Sequence, residues 1–332
     1  MLCSILILCI TYLFCGCGSS AASLEPISKT GFYFDTVITL TLYDSSQEPL
    51  LDECFSIAEQ YENMFSASID SSEISKINQA GGSPVLVSDE TIALIQKGLE
   101  YCKRSEGRFD ITIGKLSSLW NFSENEGFLP NADEIADAVS TVDYQKVSIH
   151  GNEVQLSNPD THIDLGGIAK GYIADRMKEY LEENGVTAGL INLGGNVLCL
   201  GAKTDGSNYR IGIQKPFDEG GAASAIVDVT DKTVVSSGVY ERYITVDGQM
   251  YHHILNPSTG YPYETNLLGV SIICENSADG DGLSTTCFAL GLEAGMELIE
   301  SLADTEAVFI TDDNELHCSS GIGTEIPFEK LN

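Results

Sequence analysis

The segment Ile163-Asp164-Leu165-Gly166-Gly167-Ile168-Ala169-Lys170-Gly171 marks a change of local structure in this 332-residue chain. Apolar residues lead up to a glycine pair, and a helical pattern then runs through Glu183, with Gly185 where a helix C′ residue belongs. The segment therefore predicts a strand, a glycine turn and a helix, in that order.

Hairpins and helices surround this segment without a regular alternation. Residues 147–156 alternate apolar and polar side chains about the turn His150-Gly151-Asn152. A second hairpin joins 242–246 to 250–255, because Asp247-Gly248 supplies the positive φ angles of a type I′ turn. This irregular order predicts one α+β domain of two packed subdomains, with mixed or antiparallel sheets and helices, rather than a doubly wound parallel sheet.

The remaining elements follow from the same two periodicities. A helix is expected to follow the strand predicted at 270–274, capped by Ser277 or Asp279, and to end near Gly291. Further strands are predicted at 36–43, 189–193, 209–213 and 270–274, and further helices over 51–65 and after Ser88, a favourable N-cap residue.

The N-terminal 17 residues are predicted to be a lipoprotein signal peptide. The apolar run over 2–14 is shorter than the ~20 residues of a membrane-spanning helix. Phe14-Cys15-Gly16-Cys17-Gly18-Ser19-Ser20 is similar to a bacterial lipobox, with Cys17 as the lipidated residue. Phe14 stands where Leu is usual and no Lys or Arg precedes Lys29, so a plain signal peptide and an uncleaved anchor remain alternatives. We expect a tether over 18–30, a domain over 31–332, and a lipid anchor on the extracytoplasmic face of the cytoplasmic membrane.

The charge of the chain excludes nucleic acid as an expected partner. Its 49 acidic residues outnumber 17 basic ones, which gives a formal net charge of -32. Neutralising phosphates would need clustered Lys and Arg, whereas here the acids are scattered along the chain. We interpret them as a solvated acidic surface.

The cysteines beyond the signal peptide indicate neither a zinc site nor a disulfide framework. They are widely spaced, form no CxxC pair and mostly fall in apolar segments, where a free cysteine behaves as a small buried hydrophobe. These six residues are Cys54, Cys102, Cys199, Cys274, Cys287 and Cys318.

The glycine corner at Gly166-Gly167 is a candidate anion site. A helix N-terminus offers backbone N–H groups and the positive end of a dipole, and Lys170 in the first turn is electrostatically misplaced unless an anion lies nearby. The alternative is a turn required for packing, with Lys170 solvated. Neither a GxGxxG nor a GxxxxGK[ST] motif occurs, so a Rossmann site and a P-loop are unsupported.

Asp281 and Thr285 are a candidate cation site. They are four residues apart at the start of a predicted helix, so their oxygens share one face. A carboxylate, a hydroxyl and a nearby carbonyl suit Mg²⁺, which also takes phosphate oxygens. Helix capping by the acidic residues of this segment is the alternative.

The pair His252-His253 follows the second predicted hairpin. Successive strand residues point to opposite faces, so only one of the two histidines can enter a site. A histidine satisfied within the core is the alternative for either residue.

Taken together, these segments resemble the ApbE family of FAD:protein FMN transferases over about residue 32 to the C-terminus. Each segment is weakly specific alone, and all of them in the family's order are highly specific. The matching stretches are Phe65-Ser66, 72–78, 107–114, Leu119-Trp120, 163–171, 189–196, Ser236-Ser237-Gly238, 253–262 and 281–285.

The resemblance implies an α+β fold that binds FAD with Mg²⁺ at its pyrophosphate. By position, the carbonyl of Gly167, the carboxylate of Asp281 and the hydroxyl of Thr285 are the implied metal ligands, with Ser284 contributing through its backbone. His253 matches the family's catalytic histidine. The implied FAD contacts are Phe34, Phe109, Asp110, Asp164 and Lys170, with Phe34 standing where the family's usual segment has Met near the flavin.

The implied reaction is Mg²⁺-dependent transfer of FMN from FAD to a Ser or Thr hydroxyl of an acceptor protein, through a phosphoester and with release of AMP. His253 or Asp281 would take the hydroxyl proton. The expected acceptors carry a Ser/Thr flavinylation motif and belong to membrane redox-pump subunits or secreted FMN-binding domains. The alternatives are an Mg²⁺-dependent FAD pyrophosphatase, which would release FMN and AMP, and a flavin-binding lipoprotein without catalysis.

Overall fold

The computed structural model describes residues 25–125, 127–218 and 220–331, so the predicted signal peptide and Cys17 lie outside the described residues. The described helices are α1 Glu48–Phe65, α2 Glu73–Gln79, α3 Asp89–Arg104, α4 Gly114–Trp120, α5 Ala132–Val139, α6 Ala169–Glu183, α7 Ser277–Leu290 and α8 Leu292–Glu300. The described strands are β1 Ile27–Tyr33, β2 Thr36–Leu42, β3 Val85–Leu86, β4 Val147–His150, β5 Glu153–Leu156, β6 Ala188–Leu193, β7 Asn196–Gly201, β8 Tyr209–Gln214, β9 Ala223–Val229, β10 Thr233–Gly238, β11 Tyr243–Val246, β12 Gln249–His252, β13 Leu267–Cys274, β14 Glu306–Thr311, β15 Leu316–Cys318 and β16 Phe328–Lys330.

An antiparallel sheet organises the domain. Eight strands pair in the order β1-β2-β6-β7-β10-β13-β14-β15. Smaller antiparallel sheets are β16-β9-β8, β3-β5-β4 and the hairpin β11-β12. The prediction of an α+β fold with antiparallel sheets is therefore confirmed.

The eight-stranded sheet buries both of its faces. Successive residues of a strand point to opposite sides, so Ile272 joins the core beneath α1, α6 and α7, whereas Ile273 joins a second core against β8 and β9. A third, smaller core surrounds Trp120 between α4, α5 and the β11-β12 hairpin. Two of the helices that cover the first face, α6 and α7, carry Lys170, Asp281, Ser284 and Thr285 of the predicted site.

Most elements lie where the sequence predicts them. Ser88 caps α3 by accepting a hydrogen bond from the Thr91 N–H, and Asp247 and Gly248 both have positive φ. Two boundaries differ from expectation. Residues 162–165 form only an isolated bridge from His162 to Ile113 and not a strand, and β1 begins at Ile27, inside the predicted tether.

The six cysteines predicted to be unpaired are free thiols, five of them buried and Cys318 half-buried. Within the described ranges, the helices are all too short or too polar to cross a bilayer.

Candidate functional site

Helices α6 and α7 approach each other closely at Gly171. A Cβ atom on this glycine would lie only 2.2 Å from the carbonyl oxygen of Ser277. Only glycine permits this backbone contact, because ordinary van der Waals separation is more than 1 Å longer. The crossing places the glycine corner at the start of α6 beside the first turns of α7.

Asp281 joins α6, α7 and β7. Its carboxylate is buried, and its two oxygens accept hydrogen bonds from the Gly171 N–H at 2.6 Å and from Asn196 Nδ2 at 3.0 Å. Burial raises the pKa of this carboxyl, and the positive charge of Lys170 opposes that rise. A carboxylate has about four acceptor positions, so these two bonds leave lone pairs for a further ligand.

The carbonyl of Gly167 has no hydrogen-bond donor among the described residues. In a regular α-helix the Gly171 N–H would donate to this oxygen, four residues earlier. Here that N–H donates to Asp281 instead. The bond from Gly171 N–H to Asp281 therefore also leaves the Gly167 carbonyl oxygen open, that is, without a hydrogen-bond donor in the described part of the chain.

Ser284 and Thr285 follow Asp281 on α7 and face β10. The Ser284 hydroxyl donates to the carbonyl of Asp281 at 3.0 Å and lies 2.8 Å from Ser237 Oγ. Thr285 Oγ1 lies 3.4 Å from the same Ser237 oxygen. The structure thus brings the three predicted ligands of this helix together.

Lys170 brings a positive charge to these residues. No described carboxylate lies within the 4.0 Å of an ion pair with it. Burial is the largest influence on the pKa values of Asp281, Glu241 and His253, and the charge of Lys170 acts on all three groups. The lysine therefore sits among the candidate site residues without being neutralised by one of them.

His253 and His252 have different surroundings, as strand alternation predicts. His252 lies in the core against Phe288, with Nε2 3.0 Å from the carbonyl of Tyr263. His253 Nδ1 lies 3.2 Å from the carbonyl of Arg242, which can only accept a hydrogen bond, so Nδ1 carries the proton and Nε2 is left as an acceptor. Burial lowers the pKa of His253 to about 3, so the ring is neutral at physiological pH.

Phe109 and Asp110 precede the site in a loop that packs on the glycine corner. The ring of Phe109 would lie 2.9 Å from a Cβ on Gly167, so these two residues are in contact. Asp110 accepts bonds from the Thr112 N–H at 2.8 Å, the Thr112 hydroxyl at 2.6 Å and the Tyr144 N–H at 3.1 Å. Both Asp110 oxygens therefore hold the loop that presents Phe109.

Asp164 lies at the glycine corner itself. Its Oδ1 accepts a hydrogen bond from the Gly166 N–H at 2.8 Å. This bond fixes the turn that ends in the open Gly167 carbonyl, so the residue shapes the corner from within.

Phe34 lies at the tip of the β1-β2 hairpin, with φ of 53° and its N–H bonded to Glu62 Oε1 at 2.7 Å. Next to it opens a cleft of about 540 Å³. Glu241 lines this cleft; solvent reaches its side chain, yet protein crowds it on the other sides, and this partial burial raises its pKa to about 7. The cleft is lined by Phe32, Asp35, Phe122, Ser123, Glu124, Glu241, Arg242 and Tyr243.

The predicted cap of α7 is wrong. The N-cap residue is Asn276, which makes no side-chain cap bond, and Asp279 instead binds Lys97 at 2.5 Å and the Tyr101 hydroxyl at 2.6 Å. The N–H groups of the first two helical residues donate to Asp175 of α6. Asp175, which lies 102 residues before Ser277 in the chain, therefore caps α7 in place of the predicted Ser277 or Asp279.

A family model described as the ApbE family matches residues 34–309. The chain belongs to the ApbE family. An FAD:protein FMN transferase of Treponema pallidum is 32% identical over 330 residues, covering 93% of this chain and 91% of the relative. One of Klebsiella pneumoniae is 37% identical over 286 residues, covering 85% and 88%.

Solved ApbE structures share the fold. The ApbE protein of Thermotoga maritima matches with a TM-score of 0.82 at 28% identity, covering 89% of this chain and 97% of the other. The flavin transferase ApbE of Vibrio cholerae matches with a TM-score of 0.78 at 27% identity, covering 89% and 97%.

Sequence reasoning missed three polar residues around the ApbE-family site. Asn196 binds Asp281, Asp175 caps α7, and Glu241 lines the cleft beside Arg242. Asn196 belongs to a stretch that matches the family, which was a usable signal. Asp175 and Glu241 stand in sequence surroundings typical of solvated acids, so no local pattern distinguishes them.

Proposed function

We propose that this chain is an FAD:protein FMN transferase, which moves the FMN half of FAD to a Ser or Thr hydroxyl of an acceptor protein and releases AMP. The observation that carries the proposal is the meeting of Asp281, Thr285, the open Gly167 carbonyl and Lys170 where α6 and α7 cross. Oxygen ligands for a hard cation and a lysine together suit a pyrophosphate. Membership of the ApbE family, with relatives named as such transferases, supports the same reaction.

The oxygens at this crossing fit Mg²⁺. One carboxylate, one hydroxyl and one carbonyl are the hard ligands that this ion takes, alongside waters and substrate phosphates. Within the described residues, no group of three or more His, Cys, Asp or Glu side chains is placed to hold a metal ion. Asp281, Thr285 and the Gly167 carbonyl would hold the ion, and Ser284 would contribute through its backbone because its hydroxyl is already engaged. Bound there, Mg²⁺ would neutralise charge that grows on the pyrophosphate.

The protein's own groups have separable roles in this reaction. Lys170 neutralises the pyrophosphate electrostatically, since no carboxylate of the described chain pairs with it. His253 Nε2 accepts the hydrogen bond of the incoming hydroxyl and orients it for in-line attack on the FMN-side phosphorus. The ring is neutral in the free protein, so Nε2 is unprotonated and takes the hydroxyl proton as the phosphoester forms and AMP leaves. Phe109, Asp110, Asp164 and Phe34 would bind FAD.

One assay separates this function from its two alternatives. The chain is incubated with FAD, Mg²⁺ and a candidate acceptor, and the acceptor is then denatured. Flavin fluorescence that migrates with the denatured acceptor is the expected result. Free FMN with AMP would instead indicate a pyrophosphatase, and unchanged FAD would indicate a non-catalytic flavin carrier.

The N-terminal sequence supports a lipid anchor on Cys17 and a position on the extracytoplasmic face of the cytoplasmic membrane. Acceptors that carry a Ser/Thr flavinylation motif on that side, in membrane redox-pump subunits or secreted FMN-binding domains, would be within reach. Mass spectrometry of the mature N-terminus tests the anchor: an unmodified peptide that begins upstream of Cys17 would refute it.

A further inference from the structure

Helices α6 and α7 exchange carboxylate caps. Neither helix has a side-chain cap bond from its own N-cap residue, Ile168 or Asn276. Asp281 of α7 accepts from the Gly171 N–H in the first turn of α6. In return, Asp175 of α6 accepts from the first two N–H groups of α7, with Oδ1 2.7 Å from the Ser277 nitrogen and Oδ2 2.9 Å from the Ala278 nitrogen.

The exchange fixes the position of one helix relative to the other. Each cap bonds one of the two residues of the close contact, since Asp281 accepts from Gly171 and Asp175 accepts from Ser277. The two bonds therefore hold the helices together at this contact, which serves as a pivot. The open Gly167 carbonyl belongs to the α6 side, whereas Asp281 and Thr285 belong to the α7 side. A rotation of α7 about this pivot would therefore change the distance from the Gly167 carbonyl to the side chains of Asp281 and Thr285.

We propose that Asp175 is a positioning residue for the transfer reaction, because its cap on α7 sets how Asp281 and Thr285 face the glycine corner. This inference rests on the proposed function. Asp175 acts through α7, because its side-chain hydrogen bonds go to the Ser277 and Ala278 N–H groups and, within the described chain, not to the residues that would hold the cation or FAD.

The energetic cost of Asp175 supports a role beyond stability. Burial raises its pKa to about 6 and outweighs the two backbone hydrogen bonds, which act in the opposite direction. A charged Asp175 is therefore retained at a cost to folding at neutral pH, as is common for groups kept for function. Arg176 lowers the pKa and Asp279 raises it, each by less than the effect of burial.

The test compares Asp175→Ala with Asn131→Ala. Asn131 caps α5 with its side chain, so its removal costs a similar helix cap at a surface helix that carries no predicted site residue. Mn²⁺ binding to the folded full chain is measured by water-proton relaxation at a fixed pH, and stability by urea unfolding with EDTA. We expect Asp175→Ala to weaken Mn²⁺ binding about 10- to 100-fold, as loss of a group that orients a metal ligand does. Asn131→Ala should leave Mn²⁺ affinity unchanged.

Steady-state kinetics gives a second readout. Asp175→Ala should lower kcat for FMN transfer at saturating Mg²⁺, and Asp175→Asn, which keeps one acceptor oxygen, should recover part of the loss in both measurements. If Asp175→Ala does not fold, Asp175→Asn carries the test with the same criterion. A folded Asp175→Ala variant with Mn²⁺ affinity within about twofold of wild type overturns the positioning role. A wild-type chain that binds no Mn²⁺ refutes the cation site itself, and with it the proposed reaction.

Discussion

Replacing Gly171 by Ala should force α6 and α7 apart. The new Cβ would lie 2.2 Å from the Ser277 carbonyl oxygen and 2.4 Å from its carbon, so the backbone of α7 has to move by about 1 Å to restore normal contact. Alanine in a helix gains about 1 kcal/mol over glycine, but overpacking costs about 1–3 kcal/mol and a weakened bond to the Asp281 carboxylate about 1.5–3 kcal/mol. We expect a net loss of about 2–4 kcal/mol in the free energy of unfolding, together with a large loss of FMN transfer.

Urea unfolding in EDTA and the acceptor-flavinylation assay measure the two effects. Gly98→Ala is the matched control, because the three atoms nearest to its Cβ would all belong to the Ile111 side chain and none to the backbone. That control should lose less stability and keep its transfer rate. A Gly171→Ala chain whose unfolding free energy lies within about 0.5 kcal/mol of wild type, with full activity, would refute the assignment of a tight backbone crossing at this site.

Three further outcomes are expected. Asp281→Ala should abolish transfer, measured as covalent flavin fluorescence on the denatured acceptor; a variant at the wild-type rate would remove the metal from the mechanism. His253→Ala should lower kcat about 10²- to 10⁴-fold with a smaller change in the KM for FAD, as loss of a proton-accepting group does, and an unchanged kcat would exclude this role. Burial raises the folded pKa of Asp175 to about 6, above about 3.9 in the unfolded chain, so the folded state binds the proton more tightly. Its stability relative to Asp175→Asn should therefore rise as the pH falls from 7 to 4, by at most about 3 kcal/mol, and urea unfolding that shows the difference falling over that range would contradict the burial of this carboxylate.

The fold could be predicted where its signals are local. Ser88 and Thr91 are three residues apart, and Asp247-Gly248 carries its own turn geometry, so the helix start and the hairpin follow from neighbouring residues. The strand predicted before the glycine corner was wrong. Its apolar residues fill the core without pairing with another strand, because burial alone does not distinguish a strand from an extended loop.

In the candidate site, too, contacts between neighbouring residues could be predicted, whereas contacts between residues far apart in the sequence could not. Asp281 and Thr285 share one helix face, so their proximity could be predicted from spacing alone. The bond of Asp281 to Asn196 spans 85 residues and the cap from Asp175 spans 102, so both depend on how β7, α6 and α7 pack in the finished domain. Asp279 was a reasonable cap candidate by position, but Lys97 and Tyr101 hold its carboxylate away from the helix N-terminus.

The register in which β11 pairs with β12 determines which of the two adjacent histidines faces the core. A slip of one residue would turn His253 inward and His252 outward. The incoming ring would lose its bond to the Arg242 carbonyl, and Tyr263 would lose the imidazole that its carbonyl now binds. One added residue in the Asp247-Gly248 turn would therefore exchange the surroundings of the two imidazoles without altering any amino acid of either strand.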